Sequence, residues 1–104
     1  MILYNVTVNL APEIEQDWLQ WVQKEHIPAM LATQKFVSAQ LVKVYDDQQS
    51  ATGSYAVQYK AENARLLNAY LKEDAPQLQQ QTKERFGDQL LAFRTFLNVL
   101  SEQK

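Results

Sequence analysis

Residues 18–33 read W-L-Q-W-V-Q-K-E-H-I-P-A-M-L-A-T, and the architecture can be worked out from this stretch. Four large apolar residues in and just before it recur at the spacing of one helix face: Ile14, Trp18, Trp21 and Val22. The pattern predicts an amphipathic helix that lays two tryptophans on a sheet. Pro28 lacks a backbone N–H and disfavours helical geometry at Ile27, so we expect a kink or a restart there.

Strands are predicted on both sides of this helix. Every second residue over positions 2–10, from Ile2 to Leu10, is apolar, which predicts a first strand with one fully apolar side. Three further strands are predicted at residues 36–45, 54–60 and 89–100. The order is therefore β-α-β-β-α-β in a single domain, residues 1–104. This is an α+β, ferredoxin-like arrangement, a four-stranded antiparallel sheet with both helices on one face.

The remaining segments connect these elements. Asp46–Thr52 is polar and, with Gly53, predicts a hairpin loop longer than two residues. Asn63 is placed to cap the second helix, and Pro76 should interrupt it. The inward set of that helix is predicted to be Ala64, Leu67, Tyr70 and Leu71. The glutamine-rich patch Gln77–Gln81 is typical of a solvated helix face.

A short internal repeat supports two matching halves. The segment K-E-H-I-P at residues 24–28 aligns with K-E-D-A-P at residues 72–76. Both copies fall near the end of the helical part of a β-α-β half. Duplicated geometry and chance similarity between two helix ends both explain the match.

The two sheet faces are predicted to differ, because helices cover only one of them. We assign to the helix side Tyr4, Val6, Val8, Tyr55, Val57, Tyr59, Phe93, Leu97 and Val99. We assign to the open side Leu3, Asn5, Thr7, Phe36, Gln40, Val42, Val44, Ala56, Gln58, Arg94, Phe96 and Asn98. The open side holds more apolar area than a monomer usually exposes, so a homodimer formed through this face is expected.

The polar residues of the open side allow two interpretations. They could belong to a hydrogen-bonded belt inside the dimer interface: Asn5, Thr7, Gln40, Gln58, Arg94 and Asn98. They could instead line a small-molecule cavity between the sheets or under the helices. The residues alone leave both open.

Composition excludes several classes of function. The net charge of −2 lacks the clustered lysine and arginine that a nucleic-acid partner requires. Cysteine is absent, there is one histidine, and no carboxylate pair has ligand spacing, so no metal site is expected. The only glycines are Gly53 and Gly87, so no phosphate-binding loop exists and no cofactor is predicted. Without a leader-like start or a long apolar run, the chain is expected in the cytoplasm, away from membranes.

Four residues are candidates for a site. His26, the single histidine, could act as a general base or could simply pack at a helix end. Arg94 could bind a carboxylate or phosphate, or pair with a carboxylate of a second copy. Trp18 could line a pocket or only fill the core. Asn5 is a candidate ligand contact if it reaches the same pocket as His26.

Several segments resemble one protein family. They are M-I-L-Y-N-V-T-V-N, W-L-x-W-V-x-x-E-H-I-P-A-M-L, F-V-S-A-Q-L, S-Y-A-V-Q-Y and F-R-T-F. Together they are similar to a family of small bacterial proteins with a domain of unknown function, a branch of the dimeric α/β-barrel superfamily. The resemblance implies a ferredoxin-like protomer and a face-to-face sheet dimer. That superfamily includes cofactor-free monooxygenases, haem-degrading enzymes, isomerases, dehalogenases and ligand sensors, whose activities use different residues in different branches.

The sequence therefore leaves two functions open. The first is a homodimeric ligand-binding or interaction module. The second is a small cofactor-independent enzyme, monooxygenase- or isomerase-like, that acts on an apolar or aromatic metabolite with His26 as base and Arg94 as anion holder. A pocket reached by both side chains favours the enzyme, whereas a filled interface favours the module.

Overall fold

The computed structural model describes residues 1–48 and 51–104. Its first half contains, in order, β1 (Ile2–Leu10), a 3₁₀ turn (Pro12–Ile14), α1 (Glu15–Trp21), a π-helical turn (Val22–His26), α2 (Ile27–Ala32) and β2 (Ser38–Tyr45). The second half contains β3 (Ala51–Ala61), α3 (Ala64–Glu73), α4 (Ala75–Phe86), a 3₁₀ turn (Gly87–Gln89) and β4 (Leu90–Asn98).

The four strands form one antiparallel sheet in the order β2-β3-β1-β4. The helical segments pack on one face of this sheet, and the buried core lies between the two layers. The predicted α+β, ferredoxin-like fold is confirmed. β1 and β3 are central, whereas β2 and β4 form the edges.

Strand boundaries differ from the predicted ones between β2 and β3. The predicted loop Asp46–Thr52 is too long, because β3 already begins at Ala51. Gly53 lies inside β3 with a φ of 75°, next to a register irregularity between Val44 and Tyr45. Positive φ costs glycine little, so the strand continues through this position. Residues 49–50 of the predicted loop lie outside the described part of the chain.

The helical region restarts at Ile27, one of the two outcomes expected at Pro28, and the backbone stays helical throughout. Ile27, the residue before the proline, keeps helical angles (φ −60°, ψ −45°), contrary to the expected departure from helical geometry. The Ile27 N–H donates to the Val22 carbonyl five residues back, and Pro28 then occupies the first turn of α2. One π turn thus restarts the helix, because a proline in a first turn sacrifices no intrahelical hydrogen bond.

The second helical region follows the predicted signals. The Asn63 side chain accepts a hydrogen bond of 2.9 Å from the Leu66 N–H, so the predicted cap is present. The helix is interrupted at Asp74, two residues before Pro76. Ala64 was predicted to point inward, but it is exposed because the first turn of α3 extends beyond the sheet-facing stripe. Leu67 and Tyr70 are buried as predicted.

The internal repeat corresponds to equivalent positions in the structure. His26 directly precedes α2, and Asp74 directly precedes α4, with the proline at the second position of each helix. Their surroundings differ. Asp74 accepts a hydrogen bond of 2.9 Å from the Lys35 ammonium group, whereas His26 faces the core.

Phe36 lies in the core and not on the open face, so that prediction was wrong. β2 begins at Ser38, and the chain before it turns inward after Gln34, whose φ is 65°. Phe36 is 5% exposed and contacts the rings of Tyr4, Tyr59 and Tyr70 at centroid distances of 6.0, 5.4 and 4.9 Å.

The two faces of β4 were assigned in reverse. Directly opposite residues of an antiparallel pair point to the same face. Arg94 is opposite Val6, Phe96 is opposite Tyr4, and Asn98 is opposite Ile2, so all three lie on the helix side. Phe93 and Leu97 lie on the open side with Thr7 and Leu3, and Val99 lies beyond the strand. β4 is an edge strand with apolar residues on both faces, so its hydropathy pattern does not show which face points to the helices.

The rest of the open face is as predicted. Leu3, Asn5, Thr7, Gln40, Val42, Val44, Ala56 and Gln58 share it by register. Leu91, Phe93 and Leu97 extend its apolar surface along β4, and all three side chains are exposed. Within the described residues, no helix is long and apolar enough to cross a membrane.

Candidate functional site

A narrow cavity lies between the helical layer and the sheet. Its volume is about 40 Å³, which is room for a few water molecules. Most of its lining is aromatic or aliphatic, and its main members are Tyr4, Val6, Val8, Trp18, Trp21, Val22, Met30, Val57, Tyr59, Tyr70 and Leu78. The polar groups that reach it are few: His26, Gln79, Thr82 and Arg94. A mostly apolar cavity with a few convergent polar groups is typical of small-molecule sites.

The π turn places His26 in this cavity. Its imidazole stacks on the Trp21 indole, with ring centroids 4.7 Å apart and planes inclined by 20°. Trp21 is held in turn by the edge of Phe86, at a centroid distance of 5.1 Å. π turns are rare and frequently occur at functional sites. Here the turn sets the direction of the one histidine in the chain.

The His26 imidazole is uncharged at neutral pH. Burial lowers the pKa of His26 to about 4, and the nearby Arg94 guanidinium acts in the same direction. Both causes disfavour the imidazolium form. Among the residues that the structure describes, none forms a hydrogen bond with the ring nitrogens. Its nitrogens thus remain able to exchange a proton or a hydrogen bond with a ligand.

Arg94 reaches the same cavity from β4. Its side chain points toward the helices, on the face of the sheet opposite to the predicted one. Its charge also acts on Tyr70, although burial dominates there and raises the pKa of the Tyr70 hydroxyl well above its ordinary value. The guanidinium forms no ion pair within residues 1–48 and 51–104. Arg94 is exposed at the sheet edge, so its charge stays solvated.

The cavity opens into a groove between α4 and the edge strand β4. This groove has a volume of about 330 Å³. It shares five lining residues with the inner cavity: Gln79, Thr82, Leu90, Ala92 and Arg94. The shared residues form the mouth through which a small molecule could enter.

The four candidate residues lie on two different faces of the sheet. Trp18, His26 and Arg94 line the cavity, and Trp18 is 2% exposed, with its ring 5.4 Å from that of Tyr55. Asn5 lies on the opposite face of the sheet, where its amide donates a hydrogen bond of 3.1 Å to Thr7. The Asn5 amide oxygen is buried and, within the described structure, has no hydrogen-bond partner.

Sequence reasoning missed the contribution of α4. Gln79 was assigned to a solvated helix face, yet it lines the mouth together with Thr82. Leu78, Gln79, Thr82 and Phe86 recur at three- and four-residue spacing, which is the signal that identifies the inward face. The abundance of glutamine around position 79 concealed that spacing.

A known protein family matches nearly the whole chain. The model described as "Domain of unknown function (DUF4286)" matches residues 1–100. The chain belongs to this family. The resemblance found in the sequence is thereby confirmed. No functionally curated protein sequence matches this DUF4286 member.

Solved structures share the fold at low sequence identity. HapK from Hahella chejuensis superposes with a TM-score of 0.73 at 13% identity, covering 100% of this chain and 97% of that one. A dimeric ferredoxin-like protein from an uncultured marine organism gives 0.72 at 9% identity, with 98% and 97% covered. A Deinococcus radiodurans protein with a proposed assignment as an antibiotic biosynthesis monooxygenase gives 0.65 at 11% identity, with 100% and 97% covered.

Within the described residues, no three His, Asp or Glu side chains come together as a metal site would require. The chemistry that the cavity itself offers is therefore that of a neutral imidazole, a guanidinium, an amide and hydroxyl groups. These groups bind anions and carbonyl or hydroxyl groups and can move a proton.

Proposed function

We propose that this DUF4286 protein is a cytoplasmic homodimer that binds a small, mostly apolar molecule in the cavity beneath its helices. One observation carries the proposal. His26 and Arg94, far apart in sequence, reach one aromatic cavity, and within the described residues neither side chain is hydrogen-bonded or ion-paired to another protein group. A polar side chain withdrawn from water normally has a partner, so the partly buried His26 favours a ligand in the cavity. The exposed Arg94 guanidinium at the mouth is available to bind one.

The homodimer is proposed from the open face of the sheet. Leu91, Phe93 and Leu97 expose apolar area there. The unpartnered Asn5 oxygen on the same face would gain a donor from a second copy. The marine structure with this fold is itself described as dimeric. Pairing through this face leaves the cavity, on the other side of the sheet, free in each protomer.

Filling the mouth of the cavity should weaken ligand binding. Ala92 lies on the helix side opposite Val8 and lines both the cavity and the outer groove. In Ala92→Phe the benzyl group would occupy the space proposed for the ligand. We expect 1-naphthoate, a small aromatic probe, to bind the wild type and to bind this variant at least about tenfold more weakly, a difference of 1.4 kcal/mol or more. Quenching of tryptophan fluorescence measures the binding, because Trp18 and Trp21 line the cavity.

The matched control is Ala64→Phe. It makes the same substitution at an exposed position on α3 that lines neither the cavity nor the groove. It should bind the probe as the wild type does. Equal binding to Ala92→Phe and the wild type would contradict the proposed site, as would a wild type that does not bind the probe at millimolar concentration.

A second candidate is an enzyme that moves a proton, which corresponds to the cofactor-independent alternative. The observation that favours it is the position of the His26 imidazole, which lines the cavity without a hydrogen-bond partner among the described residues. A neutral imidazole accepts a proton, and Arg94 would hold the negative charge of a carboxylate substrate. The proposed monooxygenase assignment of the Deinococcus radiodurans protein adds that this fold is compatible with enzymes.

The enzyme candidate is tested with phenylpyruvate, an aromatic carboxylate with an acidic methylene group. We expect the wild type to accelerate exchange of the methylene protons for deuterium, measured by NMR in D₂O. His26→Gln should lower the accelerated rate by about 10²-fold or more, since it removes the proton acceptor. The variant should still bind 1-naphthoate, which shows that the site is intact. Exchange at the buffer rate with the wild type, or full activity in His26→Gln, would exclude the enzyme candidate without affecting the binding proposal.

A further inference from the structure

The charge that lines the inner cavity has one sign. Among the described residues that line the inner cavity, none is a carboxylate, and Arg94 is the single charged group. The outer groove adds Lys83 and one carboxylate, Asp88. Across the mouth and the outer groove together, the positive charges of Arg94 and Lys83 outnumber the negative charge of Asp88 by one. Arg94 and His26 line the same cavity, and the Arg94 charge contributes, after burial, to the lowered pKa of His26.

We propose that the site takes a small organic anion, with its ionised group on Arg94 at the mouth and its apolar body directed toward Trp21 and His26. This inference rests on the proposed function and names the class of its ligand. A carboxylate accepts two parallel N–H donors from a guanidinium, which fixes its orientation as well as its charge. Gln79 is at the same mouth and offers an amide donor to the same group.

The shape of the site limits the body of the ligand. The inner cavity is narrow, about 40 Å³, whereas the groove outside it is about 330 Å³. A flat ring system that lies mostly in the groove, with its narrow end directed inward, therefore fits better than a bulky aliphatic body. The aromatic walls of Trp21 and Tyr70 favour such a flat body.

Two isosteric probes separate charge from shape. 1-Naphthoate and 1-naphthamide have nearly the same size and differ by one negative charge. We expect the wild type to bind the naphthoate at least about tenfold more tightly. Arg94→Gln should remove that preference by weakening naphthoate binding alone. Arg94→Lys, which keeps the charge and loses the two parallel donors, should fall between the two.

The control variant is Arg65→Gln. It removes the same charge from an exposed position on α3 that lines neither the cavity nor the groove, so the preference for naphthoate should persist. Loss of the preference in Arg65→Gln would show that net charge, and not a site at Arg94, attracts the anion. That outcome would overturn the inference.

His26 supplies a second readout because it is the only histidine and gives one set of imidazole NMR signals. Both probes add burial, which lowers the pKa of His26, but only the naphthoate offsets the Arg94 charge that also lowers it. The pKa of His26 should therefore be higher with naphthoate bound than with naphthamide bound. Equal binding of the two probes, or the same His26 pKa with either probe bound, would overturn the anion class and leave the proposed function standing. Failure of both probes to bind would overturn the proposed function and this inference together.

Discussion

Phe36→Ala should lower the free energy of unfolding by about 3–5 kcal/mol, the usual cost of deleting a buried phenylalanine ring. The ring is 5% exposed, stacks on Tyr4 and meets the edge of Tyr70 at 4.9 Å. Those two tyrosines belong to different layers, the sheet and α3. The alanine variant would therefore leave a void where both layers meet. Chemical denaturation of the wild type and the variant measures the difference. Both curves are fitted with the same dependence of the unfolding free energy on denaturant concentration.

The neighbouring residue supplies the control. Val37 is 53% exposed, so Val37→Ala should change the unfolding free energy by less than about 0.5 kcal/mol. If Phe36 lay on the open face, as its sequence position in a predicted strand indicated, its removal would weaken association between copies and spare the fold of each protomer. A small effect on unfolding combined with a large effect on dimerisation would contradict the core placement.

The contrast between Phe36 and β1 shows what the sequence can predict. β1 alternates strictly over nine residues, and Tyr4 and Val8 are buried as that alternation requires. Phe36 also extends an apolar run, but a turn before β2 directs it inward. Alternation defines the two faces of a strand; it does not show where the strand begins, because tertiary contacts decide that.

β4 shows a second limit. The segment L-L-A-F-R-T-F-L-N places apolar residues on both faces, so no hydropathy pattern distinguishes them. Arg94 was assigned to the open side of the sheet, away from the core. At a sheet edge, however, its aliphatic stem can lie over the core while the guanidinium reaches water. The pairing register, which no local signal provides, is what places Arg94 beside the cavity.

The sequence indicated which residues could form a candidate site, but it did not show how they are arranged. Trp18, His26 and Arg94 were chosen by residue type, and the fold brings them to one cavity. The π turn was not predicted, because Pro28 shows where regular helix hydrogen bonding must change and not which pattern replaces it. Asn5 was predicted on the correct face and was also a candidate ligand contact, but it does not reach the cavity, because β1 separates the two sides of the sheet.

Phe93→Asp should convert the proposed homodimer into monomers. In a single chain Phe93 is 57% exposed on the open face, and the proposed pairing buries it in both copies. An unpaired carboxylate removed from water costs several kcal/mol, so the dimer Kd should rise by roughly 10³-fold or more. Sedimentation velocity across a micromolar concentration series measures the change.

Phe96→Asp is the matched control, because Phe96 lies on the same strand, is 53% exposed and points to the helix side. Its ring stacks on Tyr4 at 5.6 Å, so this variant should lose some stability to unfolding and keep the wild-type oligomeric state. The two substitutions add the same charge at similar exposure, and only the face differs. If Phe96→Asp dissociated the protein and Phe93→Asp did not, the interface would lie on the helix side. A wild type that is monomeric at micromolar concentration would exclude the homodimer altogether.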